Sequence, residues 1–491
     1  MIDVEQSSLA EQAQIRHDKL RELQKAGKDP FVVTSFGKTH SSMDVVLHYE
    51  KLEGRKVSIA GRVVARRVMG RAGFCHILDE LGRVQFYISV DEVGKELFDE
   101  FVQLDLGDIV GVDGGVFKTK TGEVTIRVSA LKLLAKALRP LPDKHSGLKD
   151  PETRYRERHL DLISNPETRN IFKTRSAVIS ATRAYLEGRG FLEVETPILQ
   201  NIPGGAEARP FVTHHNTLDM KMYLRIALEL YLKRLIVGGF ERVYEIGRVF
   251  RNEGISYKHN PEFTMMELYQ AYTDYHGMAE LTQGLFQFVL EKLDRGLKIE
   301  YEGMKIDFSG NWRRVSMVDI VKEVVGIDFS KLDEKKAMEA MKEKKINIPP
   351  KNKNWGELLY ACFEQRVEEG IVNPTFVMDY PIEISPLAKK KVDDPRLTER
   401  FEMFAAGREM ANAFSELNDP IDQRERFMSQ VKEREKGNDE AHRLDEDFLS
   451  AMSYGMPPTG GLGIGMDRFV MLVVGTHSIR ESLLFPTMRS K

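Results

Sequence analysis

Cysteine is nearly missing from this 491-residue chain, which has only Cys75 and Cys362. They lie far apart and in no CxxC spacing. That excludes a disulfide framework and a cysteine zinc site, and it fits a reducing, cytoplasmic setting. Charge of one sign is also missing: 72 Lys+Arg against 75 Asp+Glu leave a formal net charge of -3. Any surface for a polyanion must therefore be local. No window approaches the ~18 apolar residues of a membrane span, so no membrane partner is expected. The opening MIDVEQSSLAEQAQIRHDKLRELQKAG is charged throughout and has no apolar core like that of a signal peptide. Two nucleotide motifs fail as well. GKT at 37–39 has valine at both 32 and 33, so the first glycine of a P-loop is missing, and GLGIG at 461–465 lacks the GxGxxG spacing. A bound nucleotide has to be held by something else.

What is present is ample apolar content, 42% of residues, and a chain long enough for two to four domains. Residues 7–26 read as a helix stopped by Gly27, within an N-terminal extension, 1–50. Over 51–145 the texture becomes β. KVSIAGRVVARRVM alternates, FCHILDE and RVQFYISV flank a Leu81-Gly82 turn, DEVGKELFDEFVQ is helical, and DIVGVDGGVFKT and EVTIRVSALKLL close the set. Five strands with a helix after the third is the order of an OB-fold barrel, which other small barrels share. ALRPLPDKHSGLKDPET reads as a linker. From 146 to 491 helices and strands mix without strict alternation. This points to an α+β domain with a mostly antiparallel sheet flanked by helices, and a helical insertion near 330–370. Within it NPETRNIFKTRSAVISATRAYLEGRG and RIALELYLKRLIVGG read as helices, and ERVYEIGRVFR and PEFTMMELYQAY as strands.

The chemistry gathers around FRNEGISYKHNPEFTMMELYQAY. Alternate residues of a strand share a face, so Phe263, Met265, Glu267, Tyr269 and Ala271 lie on one side. A hairpin of 241–251 with 262–272 brings Arg251 near that row. RFEMFAAGREMANAFSE carries Glu402, Glu409 and Glu416, spaced by seven, and GGLGIGMDRFVML runs from a glycine-rich strand into a helix bearing Arg468.

These segments resemble the class II aminoacyl-tRNA synthetases. GFLEVETP is similar to their motif 1, FRNE…HNPEFTMMELY to motif 2 and GLGIGMDRF to motif 3, in the family's order. A preceding OB-fold-like domain marks the subclass of the aspartyl, asparaginyl and lysyl enzymes. PGGAEARPF, RIALELYLKRL and GREMANAFSELNDP look like its lysyl members. The resemblance covers the chain from about residue 50 to its end. It implies activation of L-lysine with ATP and Mg2+ to an adenylate, transfer to tRNA(Lys), and a homodimer formed through motif 1.

Carried over residue by residue, the resemblance makes Arg251 the catalytic bridge between the lysine carboxylate and the α-phosphate. Phe263 and Arg468 would sandwich adenine, with Glu253, His259, Asn260 and Glu409 also at ATP. Glu402 and Glu409 would hold the metal, given a bend near Gly407. Gly205, Glu229 and Asn412 would take the α-amino and α-carboxyl ends, beside Phe414. Glu267, Tyr269 and Glu416 suit the far ammonium, which needs counter-charge and acceptors when buried. On the barrel, Phe74 and Gln85 would read an anticodon base and Glu123 another, with Arg62, Arg66 and Arg67 placed to meet phosphates. Three rivals fall on the sequence: a ligase for a protein acceptor, against the OB-like domain; an aspartate or asparagine enzyme, against Glu267 and Glu416; and an inactive binding module, against Arg251, Glu409 and Arg468.

Overall fold

In the computed structural model, which describes residues 2–142, 148–349, 353–438 and 440–490, the chain divides into two compact units, Met1–Leu148 and Lys149–Lys491. The middle of the expected linker, 143–147, lies outside the described residues.

In the first unit, β1 (Lys56–Met69), β2 (Ala72–Leu78), β3 (Arg83–Ser89), β4 (Ile109–Lys118) and β5 (Val124–Ala135) close a barrel in the order β1-β2-β3-β5-β4. Period two sends Cys75, Ile77, Phe86 and Ile88 inward. The helix Val90–Gln103 plugs the barrel with Phe101, whose ring meets Phe86 edge-on at 5.9 Å. The N-terminal helix, Ile2–Lys25, starts earlier than expected and belongs to this unit. Its buried Arg16 donates to the carbonyls of Leu106, Ala137 and Arg139 at 3.0–3.1 Å. Two arginines expected to meet phosphates do otherwise. Arg62 donates to the Gly107 carbonyl at 2.8 Å, and Arg66 donates to the carbonyls of Phe101 and Val102 in the last turn of the helix and of Leu104 just beyond it. A helix end leaves carbonyls without partners, and Arg66 satisfies them. Arg67 stays exposed.

The second unit holds β6 (Leu192–Glu193); a small sheet of β7 (Leu199–Gln200), β8 (Val212–His215) and β9 (Met220–Leu224); β10 (Arg242–Phe250) and β11 (Glu262–Ala271); and a ribbon of β12 (Lys298–Tyr301) and β13 (Met304–Asp307). Then follow β14 (Arg313–Ser316), β15 (Thr375–Pro381), β16 (Leu397–Ala405), β17 (Arg408–Ser415) and β18 (Thr459–Gly465). The main sheet has eight strands in the order β14-β15-β16-β17-β18-β11-β10-β6. It is parallel at its two outer pairs and antiparallel between them.

Helices Pro166–Glu187, Tyr275–Lys292 and Met466–Val474 cover one face of this sheet. Val178, Leu285, Phe286 and Phe469 pack there on Met266, Leu268, Met403 and Ile464, all within one core. Each such side chain contributes about 1.5–3 kcal/mol on burial. The odd-numbered residues of β11 are thereby turned to the other face. Between 330 and 370 the described residues include the helices Glu334–Glu343 and Trp355–Arg366, which form a second core around Phe329, Met341, Leu358 and Phe363. The helix expected from Arg225 begins only at Glu229. Arg225 is pinned first: its backbone N–H donates to Ile198, and its guanidinium to Glu245 at 2.6 Å and to the Arg248 and Thr196 carbonyls.

Candidate active site

β10 and β11 pair as the expected hairpin, with Val249 opposite Phe263 and Glu245 opposite Glu267. The Arg251 N–H donates to the Pro261 carbonyl at 2.8 Å, which sets the arginine at the mouth of the loop 252–261. Its guanidinium lies 5.1 Å from the Phe263 ring centre, a cation–π contact. A cleft of about 500 Å³ opens on the uncovered face of the central strands. Its walls bring together every residue expected at the amino-acid, ATP and metal positions, from Gly205 and Glu229 to Glu416 and Arg468.

One end of the cleft is acidic and buried. Glu267 accepts from the Leu228 N–H at 3.0 Å and from the Tyr269 hydroxyl at 3.2 Å. Burial, and then the charge of Glu229, push its carboxyl up to about 7. Glu416 is pushed up to about 8, again mainly by burial, although Lys233 works against the shift. Glu229 is raised by burial too. These acids lack enough positive charge of their own, which is the environment a cationic ligand relieves. Two glycines keep the space open. A side chain at Gly205, whose φ is 86°, would press on Glu229 and Ala227 at 3.0–3.1 Å. One at Gly461 would strike the Glu416 carboxylate and the Tyr269 ring. Asn412 and Phe414 complete this wall through Arg400, which donates to Asn412 at 3.1 Å and lies 5.5 Å from the Phe414 ring centre.

The other end of the cleft carries Glu253, His259, Phe263, Glu409 and Arg468. Arg468 donates to the Glu409 carbonyl at 2.8 Å and to its carboxylate at 3.1 Å. His259 bonds Ser256 at 3.0 Å, and burial followed by the Arg468 charge lowers its pKa. Asn260 is committed locally. Its amide donates to the Glu262 carbonyl and accepts from the Thr487 N–H, so it shapes the loop from within.

Glu402 and Glu409 face the cleft from opposite strands of a hairpin turned at Ala406–Gly407, with an irregularity in register between Met403 and Phe404. That supplies the bend their parity demanded. Glu402 accepts from Arg400 at 2.6 Å and from Tyr380 at 2.9 Å, and burial and then Glu409 push it up to about 7. Two mutually repelling carboxylates fit a divalent cation that takes its remaining ligands from phosphate and water. Among the described residues no group of three or more His, Cys, Asp or Glu could form a self-sufficient metal site.

On the barrel, register places Phe74 opposite Tyr87 and His76 opposite Gln85, so Phe74 and Gln85 are diagonal neighbours on one face. The Phe74 and Tyr87 rings lie 5.1 Å apart. Gln85 donates to Glu123 at 2.9 Å and accepts from Thr125, while Glu123 also bonds His76 at 2.8 Å. The three expected residues therefore share one concave surface with Phe117 and Arg127.

Sequence reasoning missed several residues of the cleft. Arg400 shares strand parity with Glu402 and was legible in principle. Glu357 and Tyr360 come from the insertion helix Trp355–Arg366. His442 is pushed down to about 4 by burial and the Lys233 charge, and no local signal marks it. Lys233 follows Glu229 by one helical turn and pairs with both Glu229 and Glu416. Its presence in an apolar helix was the available sign.

The family model for class II tRNA synthetases (D, K and N) matches residues 150–489, and that for an OB-fold nucleic acid binding domain matches residues 57–134. A protein of Thermoanaerobacter sp. (strain X514) named lysine–tRNA ligase is 55% identical over 485 residues, which are 98% of this chain and 97% of that one. Relatives of the same name from Clostridium perfringens (strain 13 / Type A) and Clostridium acetobutylicum are 54% identical over 487 residues and 55% identical over 478. They span 99% and 96% of this chain, and 97% and 93% of their own. With the barrel, the antiparallel sheet and the cleft in place, the chain belongs to the class II tRNA synthetases of the D, K and N group, in the family of these lysine–tRNA ligases.

Proposed function

We propose that the protein activates L-lysine with ATP and then transfers it to the 3′ end of tRNA(Lys). The observation that carries the reading is the polarity of the cleft: an arginine end around Arg251 and Arg468, and a buried acidic end of Glu229, Glu267 and Glu416 with Tyr269.

The first step has an anionic nucleophile already formed. The lysine carboxylate attacks the α-phosphorus and pyrophosphate leaves, so positioning and charge neutralisation carry the rate rather than a side-chain base. Arg251 offers a planar fork of donors that can hold the carboxylate and the α-phosphate together. Phe263 and Arg468 stack about adenine, Glu253 and His259 border it, and Asn260 holds the loop in shape. Glu402 and Glu409 would hold Mg2+, which when bound neutralises phosphate charge. Glu229, Asn412 and the backbone at Gly205 take the α-amino and α-carboxyl groups, with Phe414 against the stem. Glu267, Glu416 and Tyr269 receive the ε-ammonium. In the second step the terminal ribose hydroxyl attacks the lysyl carbonyl and AMP leaves.

Phe74, Gln85 and Glu123 read the anticodon, since splayed single-stranded bases are recognised by stacking and edge contacts on such barrels. Neither cysteine is in a disulfide and both are buried, which suits a cytoplasmic enzyme. Exposed Leu192, Ile198, Leu199 and Val212 around motif 1 support a homodimer. No helix among the described residues is long and apolar enough to cross a membrane.

Amino-acid-dependent ATP–pyrophosphate exchange with a panel of amino acids tests the reading. Exchange should appear with lysine and stay at background with aspartate and asparagine. Exchange with aspartate in place of lysine overturns it.

A further inference from the structure

Lys233 is wholly buried, and its ammonium pairs with Glu229 on its own helix and with Glu416 beyond β17. It lies 5.9 Å from the Tyr269 ring centre. An ammonium this deep persists only against close counter-charges, and Glu229 and Glu416 hold its pKa above the ordinary value in spite of burial. Its two direct partners are both acids. Tyr269 faces it from β11, Glu416 from just past the end of β17, and neutral His442 from the segment before helix Glu446–Met452, while Glu267 of the same pocket acts on Glu229 and Glu416. Arg400 on β16 reaches Glu229 from a distance but is paired with Glu402. Arg234, the next residue, turns to Asp445 at 3.4 Å. Arg251 stands across the cleft, where the substrate carboxylate matches it.

We propose that Lys233 is an internal counter-ion that sets the charge count of the amino-acid pocket. Three carboxylates, Glu229, Glu267 and Glu416, less one resident ammonium leave two negative charges. The α- and ε-ammonium groups of lysine neutralise these two. The inference rests on the lysine reading above. A substrate with one ammonium, such as norleucine, leaves a buried carboxylate uncompensated. Without Lys233, three acids would face two ammoniums, and one would keep a proton that weakens its hold on the substrate. Lys233 is thus a positioning and specificity residue that touches no reacting atom.

The test uses the full chain, with Lys233→Met and Lys233→Arg, in lysine-dependent ATP–pyrophosphate exchange from pH 6.5 to 9.5. Loss of one partner from a buried pair should raise the lysine KM of Lys233→Met about 100-fold at pH 7, with ATP KM within about twofold. Losing the ammonium lifts Glu229 and Glu416 further, so the fall of lysine KM with pH should move up by about one unit or more in Lys233→Met. Lys233→Arg should keep the wild-type midpoint. A defect that does not vary with pH, a lysine KM unchanged in Lys233→Met, or methionine outperforming arginine overturns the proposal. If Lys233→Met does not fold, Lys233→Gln takes its place. If neither neutral variant folds, the arginine variant decides, by keeping or shifting the midpoint. Absence of lysine-dependent exchange in the unmodified protein would instead remove the functional reading beneath it.

Discussion

Replacing Glu267 by glutamine keeps the shape of the side chain and removes its charge. The carboxylate now accepts from the Leu228 N–H and the Tyr269 hydroxyl. A glutamine carbonyl can keep the first bond, which turns its amide nitrogen toward Tyr269 and the incoming ammonium. A charge-assisted hydrogen bond is lost and a donor meets a donor. The loss should be about 3–4 kcal/mol, or roughly 150- to 900-fold in lysine KM, by comparison with other broken buried pairs. ATP KM should move little, because Glu267 lies at the acidic end.

Stability should move the other way. The shift from 4.5 to about 7 means that the fold disfavours the ionised carboxylate, mainly through burial, and bears a penalty once the group ionises. At ~1.4 kcal/mol per pH unit the penalty is about 3 kcal/mol. An acid whose folded pKa is raised favours the fold fully below its unfolded pKa and loses that contribution as pH rises through the folded one. The window here is 4.5 to 7. Glu267→Gln should therefore match the parent near pH 4.5 and exceed it by about 1–3 kcal/mol at pH 8, a site-level trade of stability against function. Exchange kinetics and thermal unfolding at the two pH values measure both effects. Equal rises in lysine and ATP KM, or a variant destabilised at pH 8, would refute the reasoning.

Other consequences follow from the same geometry. Because Glu267 and Glu416 sit at about 7 and 8 in the free pocket and must be ionised to hold the ε-ammonium, lysine KM should fall as pH rises from about 6 to 8.5 and then level. ATP KM measured in parallel should not follow that curve. Phe74→Ala should leave exchange unchanged and cut tRNA charging roughly 5- to 150-fold, the worth of one stacked base. Asp467 binds Arg175 at 2.5 Å and the Thr264 N–H at 2.7 Å, tying the motif 3 helix to β11. Asp467→Asn should cost about 2–4 kcal/mol in urea unfolding and raise ATP KM through its neighbour Arg468; an unchanged midpoint would show the tie to be dispensable.

Much of this was legible because it is periodic or local. The parity of β11 sorted Glu267 and Tyr269 from Met266 and Leu268, and the barrel strands followed from alternation and turns. Other features depended on which surfaces meet, and local pattern carries no information about that. Lys233 could not be assigned a role until Glu416 arrived from the far end of the domain. Arg62 and Arg66 looked available for phosphates until helix and loop carbonyls took them. Tyr360 belonged to an insertion with no evident task until its helix closed one side of the cleft. A charged side chain settles where its partners are, and in this protein long-range packing placed those partners.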